Sequence, residues 1–379
     1  MLNDNIINYL NNNKEETINL IRDLCFIPSP SHHEKNKALF IKNWLDNLGA
    51  KDVYIDEAYN VIYHLKNAES NETILFTAHT DTVFPDLTPL PFSKDEKYLY
   101  APGVGDDTTC LAMMLMVIKY IIINNLKPNK NILFVANSCE EGLGNLKGIK
   151  QIMNTYENEI TEVYCLDSQY DCVINKCVGS HRYEITFKTI GGHSFRDFGN
   201  ENAIVLMSKL INKLYECVVP KINDSHTTYN VGIVSGGTSI NTIAQEAKML
   251  YEYRSDDEEC LSIMKNFFEE KIKEAKENKN VTISVETIGI RPCGKNVDDD
   301  KLNQMTDKII NICEKHSNMK CAINSGSTDA NIPMSKAIPS ITVGTYLGEG
   351  EHTREEKVLI ESIPIGLKIV SELILEYFK

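Results

Sequence analysis

The sequence has no excess of positive charge: its 379 residues include 39 lysines and arginines against 53 aspartates and glutamates, a formal net charge of −14. Nucleic acid and anionic membrane surfaces would be repelled over most of such a protein, so neither is an expected partner. Small molecules or peptides fit better. A paired-cysteine signature is also missing. The eleven cysteines are odd in number and scattered, with no CxxC, and the opening MLNDNIINYL has no basic segment followed by an apolar core. Reduced thiols in the cytoplasm are expected. No apolar run reaches the roughly 18 residues of a membrane span. The most apolar stretch, Cys110 to Ile123, is shorter and carries Lys119, so it reads as a buried helix. There is no GxSxG elbow and no cysteine in a histidine context that would make a thiol nucleophile. The turn GLGNLKG lacks GxGxxG spacing and would set Glu140 and Glu141 beside a pyrophosphate, which argues against a dinucleotide site.

Repeats and low-complexity linkers are absent too, so organisation must come from the rhythm of elements. At this length two domains are expected. Ser31 and Glu34 have capping-box spacing, and Ala38, Leu39, Ile41, Trp44, Leu45 and Leu48 then recur at helical spacing until Gly49. Short apolar runs at 73–78, 131–136 and 163–166 read as buried strands of an α/β sheet. From about Arg182 the order becomes strand (183–190), helix (202–215), strand (229–234), strand (247–253), helix (256–275), strand (280–288). That is a ferredoxin-like split βαβ unit, inserted into the first domain. After Pro292 the alternation resumes with a helix from Asp298, a strand at 338–344 and a final helix from Glu356. The expected division is 1–180 and 291–379 for a discontinuous α/β domain, with a mixed sheet flanked by helices, and 181–290 for an α+β insert.

Acidic and histidine residues gather at the carboxyl ends of the expected strands, where open α/β sheets place ligands. ILFTAHTDTVFP supplies His79 and Asp81, which point to one side of an extended backbone, so Asp81 can orient His79. GVGDDTT supplies Asp106 and Asp107, NSCEEGLG Glu140 and Glu141, VYCLDS Asp167, and GEGEHTREE His352. So much negative charge in one crevice calls for a cation, and carboxylates mixed with histidines suit zinc better than magnesium or calcium. A two-metal site would share one carboxylate, lower the pKa of a water and polarise a carbonyl, while a further carboxylate moves the proton.

HTDTVFP, GVGDD, EEGLG, LDS, GGHS and GEGEHT occur in the order and near the spacings of the M20 zinc peptidases, a resemblance that covers nearly the whole chain. It implies a zinc-dependent hydrolase cutting an amide bond in a small peptide, as a di-/tripeptidase or aminopeptidase, with N-acyl-amino-acid deacylase or carboxypeptidase as alternatives and a non-catalytic peptide-binding module as a remote one. It implies two zinc ions per chain, with cobalt or manganese as substitutes. Carried over by motif, His79 binds one metal, Asp106 bridges both, Glu141 and Asp167 complete the two sites, and His352 binds the second. Asp81 supports His79, and Glu140 is the general base. The insert corresponds to the family's lid and dimerisation domain, so a homodimer is implied. Within it, the resemblance points to His193 in GGHSFRDFG, Asn241 in GGTSINTIA and Arg254 in YEYRSDD as substrate contacts. A turn histidine at 193, and pairing of Arg254 with Asp256 or Asp257, are the alternatives. SGSTDANIP, around Ser327 to Asn331, resembles a substrate-side loop. The family's usual DDKGG or DDKAG is replaced here by Asp106-Asp107-Thr108-Thr109-Cys110, which leaves the metal ligand in place but loosens the assignment to a subfamily.

Overall fold

The computed structural model describes residues 2–378. Three largely buried runs form the middle of a sheet: Thr73–His79, Asn131–Asn137 and Ile160–Leu166. They lie parallel, and Ser340–Val343 joins them parallel to Ile160–Leu166. Alternation sends Ile74, Phe76, Ile132 and Phe134 to one face and Leu75, Leu133 and Val135 to the other, each packed into its own apolar cluster. Phe76 stacks on both Phe134 and Tyr164. Truncating it to alanine would cost about 3–5 kcal/mol.

The whole sheet has eight strands in the order Val53–Ile55, Val61–Leu65, Asn131–Asn137, Thr73–His79, Ile160–Leu166, Ser340–Val343, Cys172–Cys177, Ala322–Gly326. Antiparallel pairs at Val61–Leu65 and at Cys172–Cys177 make it mixed, as expected. The helix Cys110–Ile123 is buried almost all round and lies in the same cluster as the helices Lys14–Cys25 and Ile363–Leu375. Among the described residues no helix is long and apolar enough to cross a membrane.

The chain divides into two compact units, Met1–Cys177 with Gly294–Lys379, and Val178–Cys293. The second has the strand order Thr227–Gly236, Glu246–Ser255, Gly179–Lys188, Thr282–Arg291, all antiparallel. Its helices Ala203–Leu214 and Glu258–Ala275 contribute to one cluster with the inward residues of those strands, among them Ile185, Met249 and Tyr253. The connectivity is that of a split βαβ fold.

Two local readings are corrected. Ser31 and Glu34 form no capping box: the helix is Lys35–Asn47, its N-cap Glu34 makes no side-chain cap bond, and both side chains are drawn to partners far along the chain. The final helix does not start at Glu356. Residues Lys357–Leu359 pair as a strand with Tyr98–Tyr100, and the helix begins at Ile363, where a proline suits the first turn.

Candidate active site

Because the central strands are parallel, their carboxyl ends fall on one edge of the sheet. His79 is the last residue of one strand, Glu140 and Glu141 follow the strand that ends at Asn137, and Asp167 follows Leu166. Asp106 comes from the irregular turn Val104–Thr109 that feeds the buried helix Cys110–Ile123.

Asp106 lies between two imidazoles. Its Oδ1 is 2.8 Å from His79 Nε2, and its Oδ2 is 2.9 Å from His352 Nε2. His352 Nε2 is also 3.3 Å from Glu141 Oε1. One donor atom from each of His79, Asp106 and Glu141 falls within 4.8 Å of the others. Behind them, His79 Nδ1 lies 3.1 Å from the backbone oxygen of Asp81 and 3.5 Å from its Oδ1. A carbonyl can only accept, so Nδ1 keeps its proton and Nε2 is the nitrogen turned toward Asp106. The Asp81 carboxylate chiefly serves other donors: Oδ1 accepts from Glu140 N at 2.9 Å, and Oδ2 from Glu141 N at 3.0 Å and Ser31 Oγ at 2.6 Å. It thus sets the backbone of both glutamates. Asp107 Oδ2 accepts from His79 N at 2.7 Å.

The electrostatics follow from this crowding of carboxylates around two imidazoles. Burial works against a charged His79, yet the carboxylates of Asp107, Asp106 and Asp81 raise its pKa well above the usual imidazole value. Hydrogen bonds to Asp106 and Glu141 push His352 up to about 11, although its side chain is 57% exposed. Burial also opposes the charge on Asp106, but His352 and His79 hold it below the usual carboxylate range. Glu141 is pushed up to about 7 by burial and then by Asp106. Asp167 is raised by burial, then by Asp106 and Asp107. Protons on the histidines stand where a cation would bind, and imidazole nitrogens mixed with carboxylate oxygens are a donor set that fits zinc or a similar metal.

Several residues around this site carry roles that the sequence reading either assigned differently or left unassigned. Glu34, fully buried, accepts from His32 N at 2.9 Å and Cys139 N at 3.0 Å, and so fixes the residue before the glutamate pair. Lys37 is buried in the same helix, and burial lowers its pKa to about 8 against the opposing pull of Asp81, Glu34 and Asp107. Asp329, in the unassigned segment 327–331, is buried and accepts from Asn137 Nδ2 at 2.5 Å. Burial and then Glu140 push its pKa up to about 8. Glu356 accepts backbone hydrogen bonds from the Asp106 turn.

In the inserted unit, His193 and Asn241 are neighbours. Gly192–His193 pairs with Thr242–Ile243, and Ser194 N donates to Asn241 O at 3.0 Å. His193 Nδ1 accepts from Phe195 N at 3.2 Å, which fixes the ring. Arg254 pairs with neither Asp256 nor Asp257 but with Glu252, through Nε at 2.9 Å and a terminal nitrogen at 3.1 Å. Glu252 lies two residues before Arg254 on the same strand, Glu246–Ser255, and so shares its face.

Residues 75–376 match the profile of Peptidase family M20/M25/M40. The chain is 27% identical to the uncharacterized protein YqjE of Bacillus subtilis, over 97% of this chain and 100% of that one. It is 25% identical to succinyl-diaminopimelate desuccinylase of Corynebacterium glutamicum, over 63% of this chain and 66% of the relative. Its fold resembles a tripeptidase from Staphylococcus aureus, with a TM-score of 0.76, 24% identity, and 96% and 98% of the two chains covered. With its strand-end histidines and carboxylates grouped as described, the chain belongs to peptidase family M20/M25/M40 and is a hydrolytic enzyme of that family.

Proposed function

We propose that the protein hydrolyses an amide bond in small peptides, as a di-/tripeptidase or aminopeptidase, at a pair of zinc ions held by His79, Asp106, Glu141, Asp167 and His352. The observation that carries this is Asp106, whose two carboxylate oxygens each face a different histidine at 2.8 and 2.9 Å, the disposition of a bridging ligand. When bound, such ions polarise a carbonyl and acidify water. Glu140 is the general base: its carboxylate takes a proton from the attacking water and passes it to the departing nitrogen. Asp81 holds Glu140 and Glu141 in register through their backbone N–H groups and keeps His79 in the tautomer that offers Nε2. His193, Asn241 and Arg254 bind the substrate, since an imidazole can donate to a developing oxyanion and a guanidinium can hold a substrate carboxylate. The working form is a cytoplasmic homodimer. The edge strand Thr227–Gly236 supports that pairing, because it leaves Ile233 and Val234 more than half exposed.

A second reading, removal of an acyl group from an amino acid, is supported by the likeness to a desuccinylase. A hydrolysis panel on zinc-reconstituted protein separates the two. Cleavage of di- and tripeptides only when the amino terminus is free is the expected result; cleavage of N-acyl amino acids alone would replace the peptidase reading. Zinc uptake adds a check independent of substrate. Calorimetry at pH 7 in buffers of different ionisation heat should show at least about two protons released per chain, from His79 and His352 with a further share from Glu141 and Asp167, whose pKa values are also raised, and release of none would remove those histidines from the ligand set.

A further inference from the structure

We propose that Glu356 is a positioning residue that aims the two carboxylate oxygens of Asp106, so that the chain's affinity for its metals depends on a side chain outside the ligand set. This rests on the reading of Asp106 as a bridging ligand. Asp106 sits in a turn that is not regular helix: its φ and ψ are −95° and 95°, and those of Asp107 are −122° and 18°. The N–H groups of Gly103, Gly105 and Asp106 therefore need acceptors from outside the turn. Glu356 supplies all three. Its Oε2 accepts from Gly103 N at 2.6 Å, and its Oε1 from Gly105 N at 2.8 Å and Asp106 N at 2.9 Å. Successive N–H groups converging on a carboxylate make a nest, here filled by a residue that is itself 1% exposed.

The same short segment grips Asp106 a second time. Four residues before Glu356, His352 meets the Asp106 side chain, while Glu356 meets its backbone. The segment is tied down at its carboxyl end, by pairing of Lys357–Leu359 with Tyr98–Tyr100 and by the bond from Ala101 N to Glu356 O. The turn has little room to settle elsewhere. A Cβ on Gly103, whose φ is +75°, would lie 2.6 Å from Thr82 Cγ2, and one on Gly105 would lie 2.6 Å from the Tyr346 ring. With the turn confined in this way, the acceptor at 356 decides how the Asp106 backbone is rotated and hence where its oxygens point.

The test is zinc titration of the full chain against a competing chelator, with folding checked by circular dichroism and melting temperature. Glu356→Gln keeps one oxygen for Gly105 and Asp106 but turns an amide donor toward Gly103 N–H, whereas Glu356→Ala leaves all three N–H groups without that acceptor. Zinc affinity should fall about 10-fold in the first and about 100-fold in the second, the range seen when a partner of a metal ligand is lost. If Glu356→Ala does not fold, the Gln variant alone decides. As a control, Ile312→Ala truncates the core in the helix Asp299–Ser317, which carries no site residue, and should lower the melting temperature with zinc affinity unchanged. Wild-type affinity in the Glu356 variants overturns the proposal, and so does an equal loss in Ile312→Ala, which would make the effect one of general stability. A wild-type protein that takes up no zinc would instead sink the metal reading itself.

Discussion

Except for His352, the candidate residues of the α/β unit are buried or half-buried, whereas those of the inserted unit are half-buried or exposed. In the α/β unit, Asp81, Glu140 and Glu141 are buried, and Asp81 alone ties together Ser31, Glu140 and Glu141. In the inserted unit, Asn241 is exposed, His193 stands on a two-residue strand, and the loop after it exposes Phe195 and Phe198 at 87% and 89%. A buried ionisable cluster has its geometry fixed by desolvation and hydrogen bonding before any ligand arrives. A wet hairpin has few such constraints and leaves recognition to be completed on binding. Lesions in the first unit should therefore register in metal affinity or in chemistry without a change of binding, and lesions in the second in substrate handling with metal content intact.

The largest effect should come from Glu140→Gln, which is expected to keep metals and fold while kcat falls at least ~100-fold, as for loss of a general acid–base group. Metal analysis beside steady-state kinetics checks it, and loss of metal in this variant, with Glu141→Gln retaining it, would swap the roles of the pair. Next is His193→Ala, expected to lower kcat about 100-fold, the lower range for removing an oxyanion donor, with both metals still bound. If the site is shared across a dimer, mixing His193→Ala with Glu140→Gln chains should restore up to about half of the activity per mixed dimer, since one site then carries neither lesion. No recovery in dimers verified as mixed would place His193 in its own subunit's site. Ser31→Ala removes one hydrogen bond to the buried Asp81 and should weaken zinc binding about 10-fold, in keeping with loss of a bond to a charged group. An unchanged titration would reduce Ser31 to packing. The smallest effect is expected for Arg254→Lys: a rise in KM of a few fold, as a bidentate fork is replaced by a point charge, with kcat held. If the change is confined to melting temperature, the Glu252 pair is the only role of Arg254.

The same contrast explains what could be read from the chain. The clustering of His79, Asp106, Glu141 and His352 was legible because each ends or follows a recognisable strand or a glycine-containing turn, and the alternation of apolar runs locates those ends. Ser31, Glu34 and Glu356 were misread because each matched a local helix-start signal while its real partner was distant. Ser31 meets Asp81 across 50 positions, Glu34 meets Cys139 across 105, and Glu356 meets Gly103 across 253. Local propensity cannot weigh such a partner against a nearby N–H. Lys37 was hidden differently: at helical spacing a lysine looks like a solvated face, yet this one is buried among the carboxylates of Asp81, Glu34 and Asp107. The flanking strands Val53–Ile55 and Ala322–Gly326 escaped because they are short and lack a sustained apolar run.

None of the eleven cysteines is in a disulfide, and seven of them, Cys110, Cys139, Cys165, Cys177, Cys260, Cys293 and Cys313, are buried. Burial pushes Cys139 and Cys293 up to about 12, so little reactive thiolate exists at neutral pH until a segment opens. Alkylation rate at each cysteine then becomes a clock for local opening. Cys110 times the base of the Asp106 turn, Cys139 the glutamate pair, and Cys260 and Cys293 the insert. Mapped by peptide mass spectrometry with and without zinc, the first two clocks should slow on metal uptake while the last two keep their pace.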